Sequence, residues 1–349
     1  MQPVVTGELG WPRYGLTSIL TLNFEAITLE NGELALGNWG EGFVDRRHPH
    51  TTVHELMLSW ASTGHGTWQA GAGVGKGFAT FGTDDPMSRP VVRYPANHHL
   101  AQILERAVGL GQVRWNRVLL EGSLFNGDEP EEPDQWPNLE RFGDSWAIRA
   151  TLTPWDGIEA QASHALVVSP EHREGAGLDH RQWSASVRLD RGTPDRRYYA
   201  LGEWARSNVG DDDFRFESLL LEGAIRWGRI RPYYRFERTE RPEEERVSAF
   251  RSRRPPLDNS IVGISRWTTH TAGVGVRWGW LRLGLEPLME LTLGRIAKVG
   301  EGLFQVSDWY DSPDWLSISV GLRLDFDMDG HRMGRYGVAT SPHHAGSGR

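Results

Sequence analysis

Residues 315–326 read Trp-Leu-Ser-Ile-Ser-Val-Gly-Leu-Arg-Leu-Asp-Phe. Leu316, Ile318, Val320, Leu322, Leu324 and Phe326 fall on one side of an extended chain; Ser317, Ser319, Gly321, Arg323 and Asp325 fall on the other. Period-two alternation over this length predicts a strand with one apolar and one polar face. The same pattern recurs from Leu16 onward, with no helical periodicity that would cover such a sheet. A long uncovered sheet must close on itself. The economical closure is an all-β, antiparallel transmembrane β-barrel, apolar outside and polar inside.

The turns divide the chain. Asp156-Gly157 separates Trp146–Leu152 from Ile158–Val168, and Gly228-Arg229 separates Leu219–Trp227 from Ile230–Phe236. Gly279-Trp280 is expected to turn Ala272–Trp278 back into Leu281–Leu293. Short turns are also expected at Gly64-His65-Gly66, Trp115-Asn116 and Gly192–Asp195. Longer polar connections fall between them, near Phe81–Asn97, Asn126–Gly143, Pro170–Asp179, Asn208–Asp213, Arg238–Ile261 and Ala297–Pro313. In outer-membrane barrels short turns are periplasmic and long loops extracellular. With Leu16–Leu29 added at one end and Trp315–Phe326 at the other, the expectation is about fourteen strands, both ends on the periplasmic side. The expected organisation is an N-terminal periplasmic segment at 1–15, a barrel at 16–326 and a periplasmic tail at 327–349.

Composition agrees with a barrel that hides from hydropathy tests. Of 349 residues 38% are hydrophobic, and no apolar run is long enough for a membrane helix. The 16 Trp suit interfacial girdles, and the 41 Gly suit close-packed strands and turns. A soluble sandwich or propeller fits the alternation of short turns and long loops poorly. The net charge of −8 argues against nucleic acid as a partner. The absence of cysteine excludes thiolate metal sites and cysteine nucleophiles. Met1–Gly10 has neither a charged nor an apolar leader region, so a secretion signal is expected to have been removed or to lie upstream.

The inward strand positions carry charges of both signs. Arg149, Arg188, Glu203, Glu222, Arg226, Arg235, Arg277, Glu290, Arg323 and Asp325 are expected to line the interior. They read either as a cross-paired, solvated lining or as a selectivity lining, since opposed charge rows set up a transverse field that sorts solutes. Histidines gather in Asp45–His50 and in Asn97-His98-His99. Without cysteine, His48, His50, His98 and His99 are the candidate metal ligands; imidazole suits copper, zinc and nickel. Ordinary loop hydrogen bonding is the other reading. His331, Met333, His343 and His344 lie in the polar tail after Phe326. There is no G-x-S-x-G and no H-E-x-x-H, and no Ser/His/acid spacing makes a triad, so enzymatic activity is not expected.

Val44–Trp60 (VDRRHPHTTVHELMLSW), Asp84–Gly111, Leu120–Glu132 and Ser145–His172 resemble, in scattered blocks, a family of Gram-negative, porin-like outer-membrane barrels of poorly defined function. Some members are associated with copper and other heavy-metal resistance. The resemblance implies the bacterial outer membrane, contact with its lipid, and passage of small hydrophilic solutes or ions. It implies no required cofactor and makes copper, among divalent metals, the first to test. It places His48, His50, His98 and His99 among the family-like positions. The alternatives are a non-conducting docking barrel, binding a periplasmic or surface partner through the tail or loops, and an outer-membrane hydrolase. The segments around His48–His50 and Asp84–His99 are expected to fold inward as a constriction.

Overall fold

The computed structural model describes residues 4–24, 27, 50–63, 66–83, 89–91, 95–96, 98–130, 132–170, 172–193, 195–211, 213–244, 246–248, 251–252, 261–280, 283–326 and 332–340. Its strands are β1 (Val4–Trp11), β2 (Leu16–Asn23), β3 (Val53–Ala61), β4 (Trp68–Gly77), β5 (Arg106–Trp115) and β6 (Val118–Phe125). They continue as β7 (Ser145–Trp155), β8 (Ile158–Val167), β9 (His180–Thr193), β10 (Arg196–Val209), β11 (Phe214–Trp227) and β12 (Ile230–Glu244). Then come β13 (Arg246–Ser248), β14 (Arg251–Ser252), β15 (Ile261–Val276), β16 (Trp278–Trp280), β17 (Leu283–Val299) and β18 (Asp314–Phe326). All except the small β13–β14 pair belong to one 16-stranded sheet in which successive strands pair antiparallel. No ladder joins β1 to β18 among the described residues.

The expected count of about fourteen strands is corrected to 16. Val4–Trp11, placed ahead of the sheet by the sequence reading, is its first strand; a 3-10 turn at Pro12–Tyr14 and Gly15 (φ 66°) return the chain into β2. Val4 pairs with Asn23, so β1 starts at the long-loop end and not at the short-turn end. The second addition is β16. Gly279-Trp280 was expected as a turn, but Trp278–Trp280 stays extended and pairs with Leu283–Leu285. Two tryptophans flanking one glycine favour continued pairing over an early reversal. β2 ends at Asn23, earlier than Leu29.

The strand faces are inverted relative to a soluble protein. On β18, Leu316, Ile318, Val320, Leu322 and Leu324 are all exposed, Val320 to 81%. On β11, Leu219, Leu221 and Ile225 are exposed while Ser218 and Glu222 are buried. Trp11, Trp60, Trp68, Trp115, Trp155, Trp227 and Trp278 are exposed, and each stands at the short-turn end of its strand. Trp68 stacks on Trp115 at 5.8 Å. Among the described residues no helix is long and apolar enough to cross a membrane.

Candidate functional site

Two segments leave the sheet and fold against its polar face. The first joins β4 to β5. Its opening is fixed by strand residues: Thr80 N–H donates to Ser123 Oγ at 3.0 Å, Thr80 Oγ1 donates to the Ala147 carbonyl at 3.1 Å, and Gly82 N–H donates to Ser163 Oγ at 3.0 Å. Gly82 (φ 70°) is required here, since a Cβ would stand 1.6 Å from the Ala101 carbonyl oxygen. Further along the segment, residues 89–91 and 95–96 meet a second group of strands. Arg89 donates to Glu203 at 3.1 Å and lies 4.0 Å from Glu222, while Arg323 on β18 donates to the Arg89 carbonyl at 2.8 Å. Val91 packs on Ala224 and Tyr233, and Ala96 N–H donates to Glu237. The loop therefore bridges β6, β7, β8, β10, β11, β12 and β18.

Its return is anchored at Glu105, immediately before β5. This carboxylate accepts Thr51 N–H at 3.0 Å and Thr51 Oγ1 at 2.9 Å, and lies 2.6 Å from His54 Nδ1. Burial opposes its ionisation. The His54 hydrogen bond and the charges of His54, His50 and Lys76 outweigh that, and the carboxyl is held down at about 2.

The second segment follows β18, within the stretch expected to be a periplasmic tail. Residues 332–340 pack against the polar face of the sheet. Tyr336 Oη donates to Glu55 Oε1 at 2.7 Å and accepts Phe78 N–H at 3.1 Å. Gln112 donates to the Tyr336 carbonyl at 2.9 Å and accepts Val338 N–H at 3.1 Å. Arg332 makes a bidentate pair with Glu159, at 2.9 and 3.0 Å. Arg335 is only 2% exposed and reaches Glu159 and Gln161 at 3.3 Å each and Glu121 at 3.5 Å. Burial lowers the Arg335 guanidinium to about 10, with Arg149 adding to the effect, so it remains charged at neutral pH. Burial, and next the Glu55 charge, raises the Tyr336 phenol well above its usual range, which keeps it a donor. Loop and tail meet in one apolar cluster, where Phe78, Phe81, Ile103 and Tyr336 pack on Ile19, Met57 and Phe125.

The structure places the expected lining residues as follows. Arg149, Glu203, Glu222, Arg235 and Glu290 are buried on the inner face. Arg149 pairs with Glu121 at 2.6 Å and Arg235 with Glu222 at 2.7 Å. Arg188 and Arg226 are half-buried, contacting Asp190 at 2.7 Å and Glu286 at 3.8 Å. Arg277 is half-buried at the end of β15, and Arg323 holds the loop. The Asp325 side chain lies outside the described residues. Sequence reasoning missed Glu55, Gln112, Glu121 and Glu159, although each occupies a polar position in an alternating strand. It also missed Tyr336, whose only local signal was an aromatic between Gly334 and Gly337.

Of the four histidines singled out for metal, His50 is buried, with its ring 5.3 Å from that of His54. His48 and the side chains of His98 and His99 lie outside the described residues; the latter two begin a single helical turn, His98–Ala101. Among the described residues no group of three or more His, Asp or Glu is arranged to hold a metal ion.

No protein-family model matches the sequence, and no curated protein does. The chain is similar to a solved porin refined at 1.8 Å resolution, with 10% identity, a TM-score of 0.42, and coverage of 93% of this chain and 91% of that one.

Proposed function

We propose that this chain is a porin-like β-barrel channel of the bacterial outer membrane, passing small hydrophilic solutes or ions. The observation that carries the reading is the inversion of its faces: Glu203 is 1% exposed on β10, while Val320 is 81% exposed on β18. A soluble sheet with its charges inside and its leucines outside would aggregate; in a bilayer the same pattern is the stable one. The last strand is long enough. The 13 residues of β18 extend about 43 Å, or about 30 Å when tilted by ~45°, against an apolar band of ~25 Å. The tryptophans at the short-turn end suit one membrane interface. Arg89 on the inward loop pairs with Glu203 on the wall at 3.1 Å, which holds the loop across a solute path as a constriction.

A second reading is a non-conducting docking barrel, favoured by the occupation of the interior by both loop and tail. Single-channel recording in a planar bilayer decides between them. Discrete current steps are expected for the channel. A barrel that migrates differently on gels when boiled and unboiled, yet stays silent at all voltages, overturns the channel reading in favour of docking. Adding copper during the same recording tests the metal association: a copper-dependent block puts the histidine segments in the path.

A further inference from the structure

The stretch after β18 is held in an unusual manner for a packed element. Its described residues, 332–340, add no strand to the sheet, and their contacts run through side chains and single peptide groups. Arg332 and Arg335 sit on a patch of wall made by Glu121 on β6 and Glu159 and Gln161 on β8. Planar guanidinium forks match such carboxylates, as the bidentate Arg332–Glu159 pair illustrates.

Two carboxylates of the wall keep partners of their own. Glu121 keeps its two bonds from Arg149, at 2.6 and 3.0 Å, and one from Gln112 at 2.9 Å. Glu55 keeps the bond from Thr21 Oγ1 at 2.6 Å. Departure of the tail therefore leaves Glu121 and Glu55 paired and uncovers the Glu159 carboxylate that the two arginines hold, a contact of the kind that a competing cation can replace. Gly334 (φ 77°) and Gly337 (φ 53°) fold the segment tightly enough to fit: a Cβ on Gly337 would stand 2.5 Å from Gln112 Oε1.

We propose that residues 332–340 are a reversible plug seated on a guanidinium-binding subsite of the inner wall, and that its release exposes Glu159, beside Glu121, to cationic solutes. The inference rests on the channel reading and goes beyond it by naming the gate and the class of solute its seat recognises. The plug enters from the short-turn end, where β18 finishes.

The test uses the full chain carrying Arg332→Glu and Arg335→Glu, which turns both anchors against the acidic seat. Mean current in planar bilayers is expected to rise, with the plugged state losing roughly 100-fold in occupancy. The reversal potential should move toward cation selectivity. Millimolar guanidinium chloride should reduce the variant's current more than equal sodium chloride does. A synthetic peptide of residues 332–340 should restore the block from the short-turn side only, and the same peptide with both arginines changed to glutamate should not. A boiled-versus-unboiled gel shift reports that the variant is folded. Conduction equal in parent and variant, with no peptide block, overturns the plug and leaves the channel standing. Silence from both, each folded, overturns the channel reading and the plug with it.

Discussion

Tyr336 donates its hydroxyl to Glu55 at 2.7 Å across 281 residues of sequence. The bond ties the stretch after the last strand to β3, and through Phe78 N–H to the start of the inward loop. One phenol thus joins wall, loop and tail, the elements that decide how much of the interior is free.

Replacing Tyr336 by Phe keeps the ring in its apolar cluster but removes the donor to a buried carboxylate. The expected loss is about 1–3 kcal/mol in seating of the tail. Trypsin checks it. Arg335 is buried in the parent and should resist cleavage, whereas Y336F should be cut there, as read by mass spectrometry. Equal protection in both proteins would mean that the bond contributes nothing to the tail's position.

The inverted faces give a sharper contrast. Val320 lies midway along β18 on the exposed face. Val320→Arg should cost about 2–4 kcal/mol in folding into lipid vesicles, while Val320→Leu should be nearly neutral. If the arginine were tolerated as well as the leucine, that face would be in contact with water and the membrane assignment would fall.

Alternation is a local signal, which is why the face of each long strand was readable from the chain: Glu222 beside Leu221, Arg149 beside Ile148. The glycine turns at Gly157 (φ 78°) and Gly228 (φ 57°) were readable for the same reason. β1 was not, because Gly7 and Gly10 dilute its pattern and the reversal after it uses a 3-10 turn in place of a two-residue hairpin. A constriction around Asp84–His99 was expected from sequence; of that range the contacts of Arg89, Val91 and Ala96 lie on the polar face, and their reach to β10, β11 and β12 was not foreseen. Thr80 and Gly82 are fixed by Ser123 and Ser163, residues with no individual mark. The tail was illegible for a deeper reason. Its order comes from Glu55, Gln112, Glu121 and Glu159, spread over four strands, and a carboxylate on a polar strand face does not announce which distant arginine it will meet.

Glu105 should make the loop anchor acid-sensitive. Its carboxyl is held at about 2 in the fold against an unperturbed 4.5, so its contribution is complete above about 4.5 and is lost as pH falls through about 2. The linkage amounts to about 3 kcal/mol. The temperature at which the unboiled gel form disappears should stay level from neutral pH to about 5 and then fall toward pH 2, with Glu105's share missing from Glu105→Gln. A parent and variant with parallel pH profiles would remove this anchor from the account.

Arg89 offers the most direct test of the constriction, because it is the loop's cation against the far wall. It reaches Glu203 at 3.1 Å and Thr83 at 3.2 Å, with Glu222 at 4.0 Å, and its own carbonyl holds Arg323. The carbonyl contact survives any side-chain change, so Arg89→Ala removes charge without cutting the loop from β18. Glu222 retains Arg235 and Tyr199, both at 2.7 Å. Glu203 loses a buried cation, a change that typically costs about 3–5 kcal/mol when water cannot enter. In a solvated interior the cost is smaller, because the freed carboxylate is hydrated in place. The R89A barrel should therefore keep its gel shift, carry more current per step, and shift its reversal potential toward cations. Loss of the gel shift would identify the pair as part of a dry packed core. An unchanged reversal potential in a folded barrel would move the solute path away from β10 and β11.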